Sequence, residues 1–385
     1  MKKILVAIGS RANYGSIKSA LASISAHPNL NLKIMTFASA VLPKYGNLEA
    51  QMKMEGFEPN LSLETQLDGD SVESMAESTG LALLKIPGAI RCLKPDFVIT
   101  IGDRYETMAT AISAAYMNVP LVHTMGGEIT GSIDESVRHA ITKLSHVHLV
   151  STRKSFENLV NLGEKRDNIF LTGCPRIDIA KEATNLRIEE LEEKASKFGM
   201  GDPIDFKKPF ILISQHPVTS EFESADKQIR ATLESLGSLN IQLVVLWPNA
   251  DAGSEKISKV IRAWKDENSF RNIHFYRNLP PDLYLKMMEI TACLVGNSSS
   301  ALREGSFLGT PAVNVGTRQS GREHGNNVLF VENSKTSIEN AINIQLSHGK
   351  YPKNELYGDG TAGSKIAEIL SNLPKVSTQK QLYFD

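Results

Sequence analysis

Acidic, basic and guanidinium side chains cluster shortly after two short apolar runs, 96–101 and 120–122. The members of the cluster are Asp103, Arg104, Glu128, Asp134, Glu135, Arg138 and His139. Apolar runs of this length between helical patterns are typical of buried strands, and ligands gather at the carboxyl ends of strands in an open α/β sheet. The cluster therefore places acids, bases and a guanidinium where an enzyme needs them.

Helix capping is the structural alternative for two of these acids. Asp103 and Glu128 could each stabilise the N-terminus of a following helix. Capping accounts for one acid per helix, however, and does not explain this density of charged groups.

Composition narrows the class of protein. A chain of 385 residues exceeds the size at which single cores stop growing, which favours two domains. With 42 basic and 43 acidic side chains, a global basic field for nucleic acid or membranes is not expected. The apolar run 4–8 is too short for a signal peptide or a membrane span, so we expect a cytoplasmic protein.

The three cysteines, Cys92, Cys174 and Cys293, lie far apart in the sequence. Their odd number and their lack of metal-ligand spacing predict neither a disulfide framework nor a metal site. We interpret all three as buried small hydrophobic residues.

Strand-like apolar runs alternate with helical patterns along the chain, which predicts parallel strands joined by crossover helices. The runs are 3–8, 30–36, 96–101, 120–123, 148–151 and 169–171, followed by 210–214, 241–246, 273–276, 293–296 and 312–315. The stretch 182–208 is charged and lacks strand signals, with a solvated helix at 189–194. We therefore predict an α/β fold of two Rossmann-like domains facing across a cleft: 1–182, which carries the acids and bases, and 183–363, with a helical segment 364–385 that crosses back to the first.

Three loops have features suited to phosphate binding. Residues 9–15 (GSRANYG) follow the first strand, residues 296–300 (GNSSS) join a strand to a helix, and residues 316–323 (GTRQSGRE) carry two arginines. Backbone N–H groups at a helix start and arginine side chains both bind phosphate oxygens. The alternatives are a tight turn for the first loop, simple N-capping for the second and surface salt bridges for the third.

These motifs, in this order, resemble the hydrolysing UDP-N-acetylglucosamine 2-epimerases, particularly the epimerase half of the bifunctional epimerase/kinase of sialic acid synthesis. The resemblance covers nearly the whole chain. The motifs that carry it are 45–47 (YGN), 102–104 (GDR), 136–143 (SVRHAITK), 215–219 (QHPVT), 249–254 (NADAGS), 296–299 (GNSS), 316–319 (GTRQ) and 357–360 (YGDG).

The resemblance implies a fold like that of the GT-B glycosyltransferases, with a UDP-sugar held in the cleft. Because relatives form dimers or tetramers, the resemblance implies that this chain forms a homodimer or homotetramer. It also implies that the reaction needs no cofactor and no metal. His216 would lie near the diphosphate and assist the leaving group. The residues implied to bind the nucleotide are Arg11, Arg104, Asn249, Ser298, Ser299, Glu304 and Arg318.

The chemistry implied by the resemblance removes the C2 proton, expels UDP to give a 2-acetamidoglucal, and hydrates that glycal to the 2-epimeric free sugar. General acids and bases are required because the C2 hydrogen is weakly acidic. The residues assigned to this work are Asp103, Glu128, Asp134 and Glu135.

Three positions depart from the pattern of the relatives. Met125 stands where relatives carry a catalytic carboxylate, and a thioether cannot carry a proton at neutral pH. Ala40 stands where relatives have a histidine near the sugar, and Asn13 where an acid is usual. Glu128, three residues after Met125, is our candidate for the missing group.

Three functions remain open at this point. The leading one is a hydrolysing 2-epimerase for UDP-N-acetylglucosamine, or for a related sugar such as a UDP-2,4-diacetamido-trideoxyhexose, in nonulosonic acid biosynthesis. The second, favoured by Met125 but not by Asp103 and Asp134, is a GT-B glycosyltransferase or a UDP-sugar hydrolase that leaves C2 untouched. The third is a UDP-sugar-binding protein without catalytic activity.

Overall fold

The chain folds into two α/β units, each built around one seven-stranded sheet. The computed structural model describes residues 1–43, 46–69, 71–130, 133–237, 239–248, 253–267, 273–276 and 279–383. The first unit comprises Met1–Glu128, Ile133–Asp178 and Tyr357–Asp385, and the second comprises Ile129–Ser132 and Ile179–Leu356. The sequence predicts boundaries after residues 182 and 363, whereas the units change after Asp178 and Leu356.

In the first unit, all seven strands are parallel, in the order β3-β2-β1-β4-β5-β6-β7. Their bounds are β1 Lys2–Ile8, β2 Leu30–Phe37, β3 Leu61–Leu63, β4 Phe97–Ile101, β5 Leu121–Thr124, β6 Val147–Val150 and β7 Ile169–Leu171. All residues of β4, β5 and β6 are buried. Such continuous apolar runs are what a parallel sheet covered on both faces requires.

The helices of the first unit follow the strands as crossovers. Their bounds are α1 Arg11–Gly15, α2 Lys18–Ala26, α3 Leu48–Met54, α4 Val72–Leu93, α5 Thr107–Tyr116, α6 Ile133–Leu144, α7 Arg153–Asn161 and α8 Pro175–Ala183, which runs past the boundary at Asp178. One side of α4, including Ala82, Ile86 and Ile90, packs into the same apolar core as Val98 of β4.

The second sheet has the order β14-β13-β12-β9-β10-β11-β8, and β8 alone among these strands is antiparallel to its neighbour. The strands are β8 Gly199–Gly201, β9 Phe210–Ser214, β10 Gln242–Leu246, β11 Ile273–Tyr276, β12 Cys293–Gly296, β13 Ala312–Val315 and β14 Val328–Val331. The helices are α9 Ile188–Ala195, α10 Ala225–Ser235, α11 Ser254–Glu267, α12 Pro281–Ile290, α13 Glu304–Leu308 and α14 Lys335–His348. A core that includes Ile211, Leu243 and Trp264 holds strands and helices together.

The sequence analysis identified every inner strand of both sheets and missed three edge strands, β3, β8 and β14. An edge strand buries less of its surface, so its sequence need not be continuously apolar. The sequence of β8 is Gly-Met-Gly, which is not a strand signal. Gly201 is needed there because a Cβ atom at its φ of +123° would lie 2.5 Å from the Ile273 carbonyl oxygen.

The interpretation of the cysteines was correct for two of them. Cys174 and Cys293 are buried, whereas Cys92 is exposed, so its prediction as a core residue was wrong. Cys92 lies near the C-terminal end of α4, outside the set of residues that this helix buries.

In the described part of the chain, no helix is long and apolar enough to cross a membrane.

The final helix, α15 (Ala362–Asn372), belongs to the first unit and packs against α2. Asp178 fixes its start: one carboxylate oxygen accepts from the Ala362 N–H at 2.9 Å and the other from the Gly363 N–H at 2.7 Å. The Ser19 hydroxyl of α2 also donates to Asp178, at 2.8 Å. One buried carboxylate thus ties α2 and the start of α15 together.

Replacing Asp178 with Ala should destabilise the first unit by about 1–3 kcal/mol, because buried N–H donors lose their acceptor. Urea denaturation followed by circular dichroism would measure the change. Asp167→Ala is the matched control, since the Asp167 side chain is 78% exposed and should matter little. Equal stability of the two variants would contradict the role of Asp178.

Candidate active site

Each sheet has one point at which the strand order reverses, and the predicted site residues gather there. In the first sheet the reversal lies between β1 and β4, and the loops after these strands carry Arg11, Asp103 and Arg104. Open α/β sheets bind ligands at such switch points, outside the carboxyl ends of the strands. Of the predicted residues of the first unit, these three lie at the switch point, whereas Glu128, Asp134 and Glu135 follow β5.

Asn13 joins the two loops at this switch point. Its side-chain oxygen accepts from the Gly9 N–H at 3.1 Å, and its amide nitrogen donates to the Ile101 carbonyl at 3.1 Å. The side chain is 3% exposed. A carboxylate could accept from Gly9 but could not donate to Ile101. Asn13, where the resemblance implied an acid, therefore has a structural role.

Arg138, on α6, connects two of the predicted catalytic acids. Its guanidinium forms an ion pair with the Asp103 carboxylate and donates to the Glu128 carbonyl at 2.7 Å. Arg138 is fully buried, and Glu128 is 4% exposed. A buried guanidinium needs such partners, because an uncompensated charge in the interior is costly. In the sequence, Arg138 lies in the motif 136–143, which predicted no role for it.

Helix capping by Asp103 is not what the structure shows. The N-cap residue of α5 is Glu106, whose side chain makes no capping hydrogen bond. Asp103 is instead committed to Arg138, and its side chain is 23% exposed. Arg104, predicted to bind the nucleotide, donates from Nε to the Glu106 carboxylate at 2.8 Å.

Asp134 and Glu135 lie in the first turn of α6, and both are half-buried. Glu135 is 3.3 Å from the His139 imidazole, one turn further along. Arg138 is on the same helix, so α6 links these two acids with Asp103 and with the backbone of Glu128. Through Arg138, α6 thereby connects the segments that carry the four predicted catalytic acids.

His123 connects the loop after β4 with α6. It is fully buried, with Nε2 2.8 Å from the Gly102 carbonyl oxygen and Nδ1 3.3 Å from the Thr142 hydroxyl of α6. Burial lowers the pKa of His123 to about 3. The imidazole is therefore neutral at physiological pH and holds the end of β4 against α6.

Met125 has a left-handed backbone conformation, with a φ of +62°, and its N–H donates to the Leu149 carbonyl at 3.0 Å. Its sulfur lies 3.9 Å from the Cys174 sulfur, and the side chain is 6% exposed. Ala40, the other departure from the relatives, is 1% exposed. Both positions, where the resemblance implied polar groups, are thus apolar and buried.

The second sheet reverses between β9 and β12, and His216 and Ser298 follow these strands. Asn297 joins the two loops: its side chain accepts from the His216 N–H and donates to the His216 carbonyl, both at 2.8 Å. Gly296, with a φ of +140°, allows the close approach, because a Cβ atom there would lie 2.1 Å from the Ser214 carbonyl oxygen.

The predicted helix after Gly296 is broken in the structure. Ser299–Ala301 form a 3-10 turn, and α13 has only five residues. The Ser298 hydroxyl lies 2.8 Å from that of Ser300, which in turn contacts Tyr284. The loop therefore offers hydroxyl groups and turn N–H groups, with little contribution from a helix dipole.

Three further predicted residues belong to the second unit. Glu304 is fully buried at the start of α13. Arg318 donates to the Asn297 carbonyl at 3.3 Å, which draws the arginine loop to the switch point. Asn249 lies outside the described residues.

Two glutamines were not selected from the sequence. Gln319 donates to the Asn297 carbonyl at 2.9 Å, and it and Gln215 are 2% and 3% exposed. Among the described residues, the side-chain oxygens of Gln215 and Gln319 have no hydrogen-bond partner. Buried polar atoms are normally paired, so both oxygens are candidates for ligand contacts. Their only sequence signal was their position beside His216 and Arg318.

No group of three or more histidine, cysteine or acidic residues in the described ranges is placed to hold a metal ion. The candidate groups of the first unit are carboxylates and arginines, and those of the second unit are hydroxyl, amide, imidazole, guanidinium and carboxylate groups.

Comparison with known proteins identifies relatives over the whole chain. A family profile described as UDP-N-acetylglucosamine 2-epimerase matches residues 22–371. The chain is 32% identical to a UDP-N,N'-diacetylbacillosamine 2-epimerase (hydrolyzing) of Legionella pneumophila, over 97% of each chain. It is 29% identical to a UDP-N-acetylglucosamine 2-epimerase of Neisseria meningitidis, over 99% of this chain and 98% of the relative.

The fold is similar to that of a solved structure. The crystal structure of UDP-GlcNAc 2-epimerase from Neisseria meningitidis bound to UDP-GlcNAc has a TM-score of 0.78, with 18% sequence identity, and covers 96% of this chain and 99% of that one. The predicted fold class, two Rossmann-like α/β domains of the GT-B type, is confirmed.

The buried His123 should make stability depend on pH. Its pKa is about 3 in the folded protein and about 6.5 when unfolded, so the unfolded state binds more protons between these values. The stabilisation is therefore present above pH 6.5 and is lost as the pH falls toward 3. The slope from this one group reaches about 1.4 kcal/mol per pH unit.

Urea denaturation of the wild type and of His123→Gln at pH 5.0 to 6.5 would isolate this contribution. The variant should show a shallower slope, by up to one proton, while the two curves run parallel from pH 7 to 8. Identical slopes in the acidic range would show that His123 is protonated in the folded protein.

Proposed function

The chain belongs to the UDP-N-acetylglucosamine 2-epimerase family, and we propose that it is a hydrolysing member that converts a UDP-2-acetamido sugar to UDP and the free 2-epimeric sugar. The observation that carries the proposal is the connection of Asp103 to Glu128 through the buried Arg138. It holds the Asp103 carboxylate and the backbone of Glu128 together at the carboxyl ends of β4 and β5, where substrate chemistry is expected.

We assign nucleotide binding to the second unit. Arg318 and the Ser298–Ser299 turn would contact the diphosphate, and the buried Glu304 would accept hydrogen bonds from ribose hydroxyls. His216, whose backbone is fixed by Asn297, would assist departure of UDP. Gln215 and Gln319 add buried amide oxygens that could accept from uracil or ribose groups. Arg11 and Arg104 of the first unit complete the proposed set.

The proposed chemistry has two steps. First, a carboxylate takes the proton from C2, the C1–oxygen bond breaks, and its electron pair leaves with UDP, which produces the 2-acetamidoglucal. Second, water adds its hydroxyl to C1 and gives its remaining proton to a carboxylate, while a protonated acid delivers a proton to C2 from the face opposite to the one that lost it. A guanidinium beside a carboxylate favours the ionised form. Asp103, paired with Arg138, is our candidate for the group that accepts the proton, and Glu128, Asp134 and Glu135 are candidates for the acid.

The sugar is proposed to be UDP-N-acetylglucosamine or a UDP-2,4-diacetamido-trideoxyhexose, whose product would serve nonulosonic acid biosynthesis. Met125 and Ala40 make their two positions apolar, which suits a sugar with fewer hydroxyl groups. The name of the Legionella pneumophila relative, a UDP-N,N'-diacetylbacillosamine 2-epimerase, points the same way.

Met125 also favours a second candidate. A thioether carries no proton, so a protein short of one acid could hydrolyse the anomeric bond of the UDP-sugar without touching C2. Release of UDP without exchange of the C2 hydrogen would identify this activity.

Both UDP-sugars would be incubated with the enzyme in deuterated water, and UDP release and deuterium at C2 of the product would be measured together. Hydrolysing epimerisation predicts both signals, and tight binding with no turnover on either sugar would indicate a binding protein. Asp103→Asn, Glu128→Gln and Asp134→Asn should each lower kcat by about 10²- to 10⁴-fold, because each removes a group that transfers a proton. Glu157→Gln, on the exposed surface of α7, is the matched control and should keep the wild-type rate. Wild-type turnover in Asp103→Asn would refute its assignment.

Arg318→Met should weaken UDP binding about 10- to 100-fold in isothermal titration calorimetry, because a charge-assisted contact to the diphosphate is lost. Arg153→Met is the control, since the Arg153 side chain is 71% exposed. Unchanged UDP affinity in Arg318→Met would place the nucleotide elsewhere.

A further inference from the structure

Residues 373–383, the described segment after α15, form no helix or strand, yet they are held against the first unit at several points. Lys2 donates to the Leu373 carbonyl, at 2.5 Å, where the segment begins. His146 lies 3.2 Å from the Thr378 carbonyl oxygen, and the Tyr383 N–H donates to Gly163 at 3.0 Å. The segment is therefore an integral part of this unit.

Lys380 is the most strongly bound residue of the segment. Its ammonium group donates to the carbonyls of Thr142 and Ser145, at 2.7 and 2.6 Å, and lies 2.6 Å from the Glu164 carboxylate. These two carbonyls are at the C-terminal end of α6, where helix carbonyls lack partners within the helix. A cation there also interacts favourably with the helix dipole.

The carboxylate that receives Lys380 is itself the centre of a buried cluster. Glu164 is 3.0 Å from Lys143 and 3.0 Å from His148, and its side chain is 2% exposed. Burial favours a higher pKa for Glu164, but the hydrogen bonds and charges of His148 and Lys380 outweigh burial. The pKa of Glu164 is therefore lowered to about 2. The charged or titratable groups around Lys380 are thus Glu164, Lys143, His146 and His148.

The other end of α6 carries the acids of the candidate site. The helix has twelve residues, a length of about 18 Å, with Asp134 and Glu135 in its first turn and Arg138 in the next. Thr142, whose carbonyl accepts from Lys380, also contacts His123 through its hydroxyl. The placement of the acids therefore depends on how the far end of this helix is held.

We propose that Lys380 is a positioning residue for the acid–base groups: it fixes the C-terminal end of α6 and thereby sets where Asp134, Glu135 and the Asp103–Arg138 pair lie. The proposal rests on the proposed function for its kinetic consequence, but its structural part does not. Lys380 contacts no reacting group and acts through the helix alone.

The test compares Lys380→Met with Lys380→Arg, and with Lys375→Met, the same substitution at an exposed position of the segment. Lys380→Met should lower kcat about 10- to 100-fold, because small displacements of reacting groups are costly, with KM and the Kd for UDP within about two-fold of wild type. Lys380→Arg should recover most of kcat, and Lys375→Met should match the wild type. An unchanged kcat in Lys380→Met, or an equal loss in Lys375→Met, overturns the proposal.

Hydrogen exchange supplies a readout that needs no activity. Amides of 138–145 should exchange about ten-fold faster in Lys380→Met than in wild type, while those of α10 in the second unit stay unchanged. If neither UDP-sugar is turned over, the proposed function fails, and the exchange result alone decides whether Lys380 holds α6. Wild-type protection of 138–145 in Lys380→Met would overturn the proposal.

A double variant covers failure of Lys380→Met to fold. Glu164→Gln combined with Lys380→Met removes the charge that would otherwise lose its partner, while the helix end still lacks its cation. The proposal expects this protein to fold with a low kcat and fast exchange in 138–145. Recovery of both to wild-type values would show that only the ion pair mattered, and would overturn it.

Discussion

In each unit, the arrangement of the site residues depends on one constraint. Two loops that follow non-consecutive strands must be held side by side at the point where the strand order reverses. In each sheet an asparagine side chain meets this constraint, because an amide can donate and accept at once. Asn13 joins the loops after β1 and β4, and Asn297 joins those after β9 and β12. The charged and hydroxyl groups nearby can then be placed by short, fixed segments of backbone.

In the first unit, α6 adds a second level of order to this base. Its buried Arg138 cannot be left without partners, so the ion pair with Asp103 and the bond to the Glu128 carbonyl constrain both acids at once. His123 contributes as a neutral hydrogen-bonding group between β4 and the same helix. The Asp103 carboxylate and the backbone of Glu128 are thus positioned from the protein interior.

The sequence was most informative where burial is uniform. Inner strands such as Phe97–Ile101 are apolar throughout because both faces are covered, and their positions placed Asp103 and His216 at strand ends. It was least informative where a residue's role depends on distant partners. Arg138 lies in the motif 136–143, but only the fold reveals that it is buried beside Asp103. Lys380 gave no signal at all, since its partners are some 216 to 238 residues away.

The first unit is assembled from both ends of the chain, with the second unit encoded between its parts. During synthesis, β1 to β7 emerge long before α15 and the segment that carries Lys380. Until then, Asp178 lacks the N–H groups of Ala362 and Gly363, and Glu164 lacks Lys380. Domains generally fold as units while the chain grows from its N-terminus. The first unit can therefore be completed only after α15 and Lys380 have emerged from the ribosome, so the packing behind its acids forms after the second unit has been synthesised.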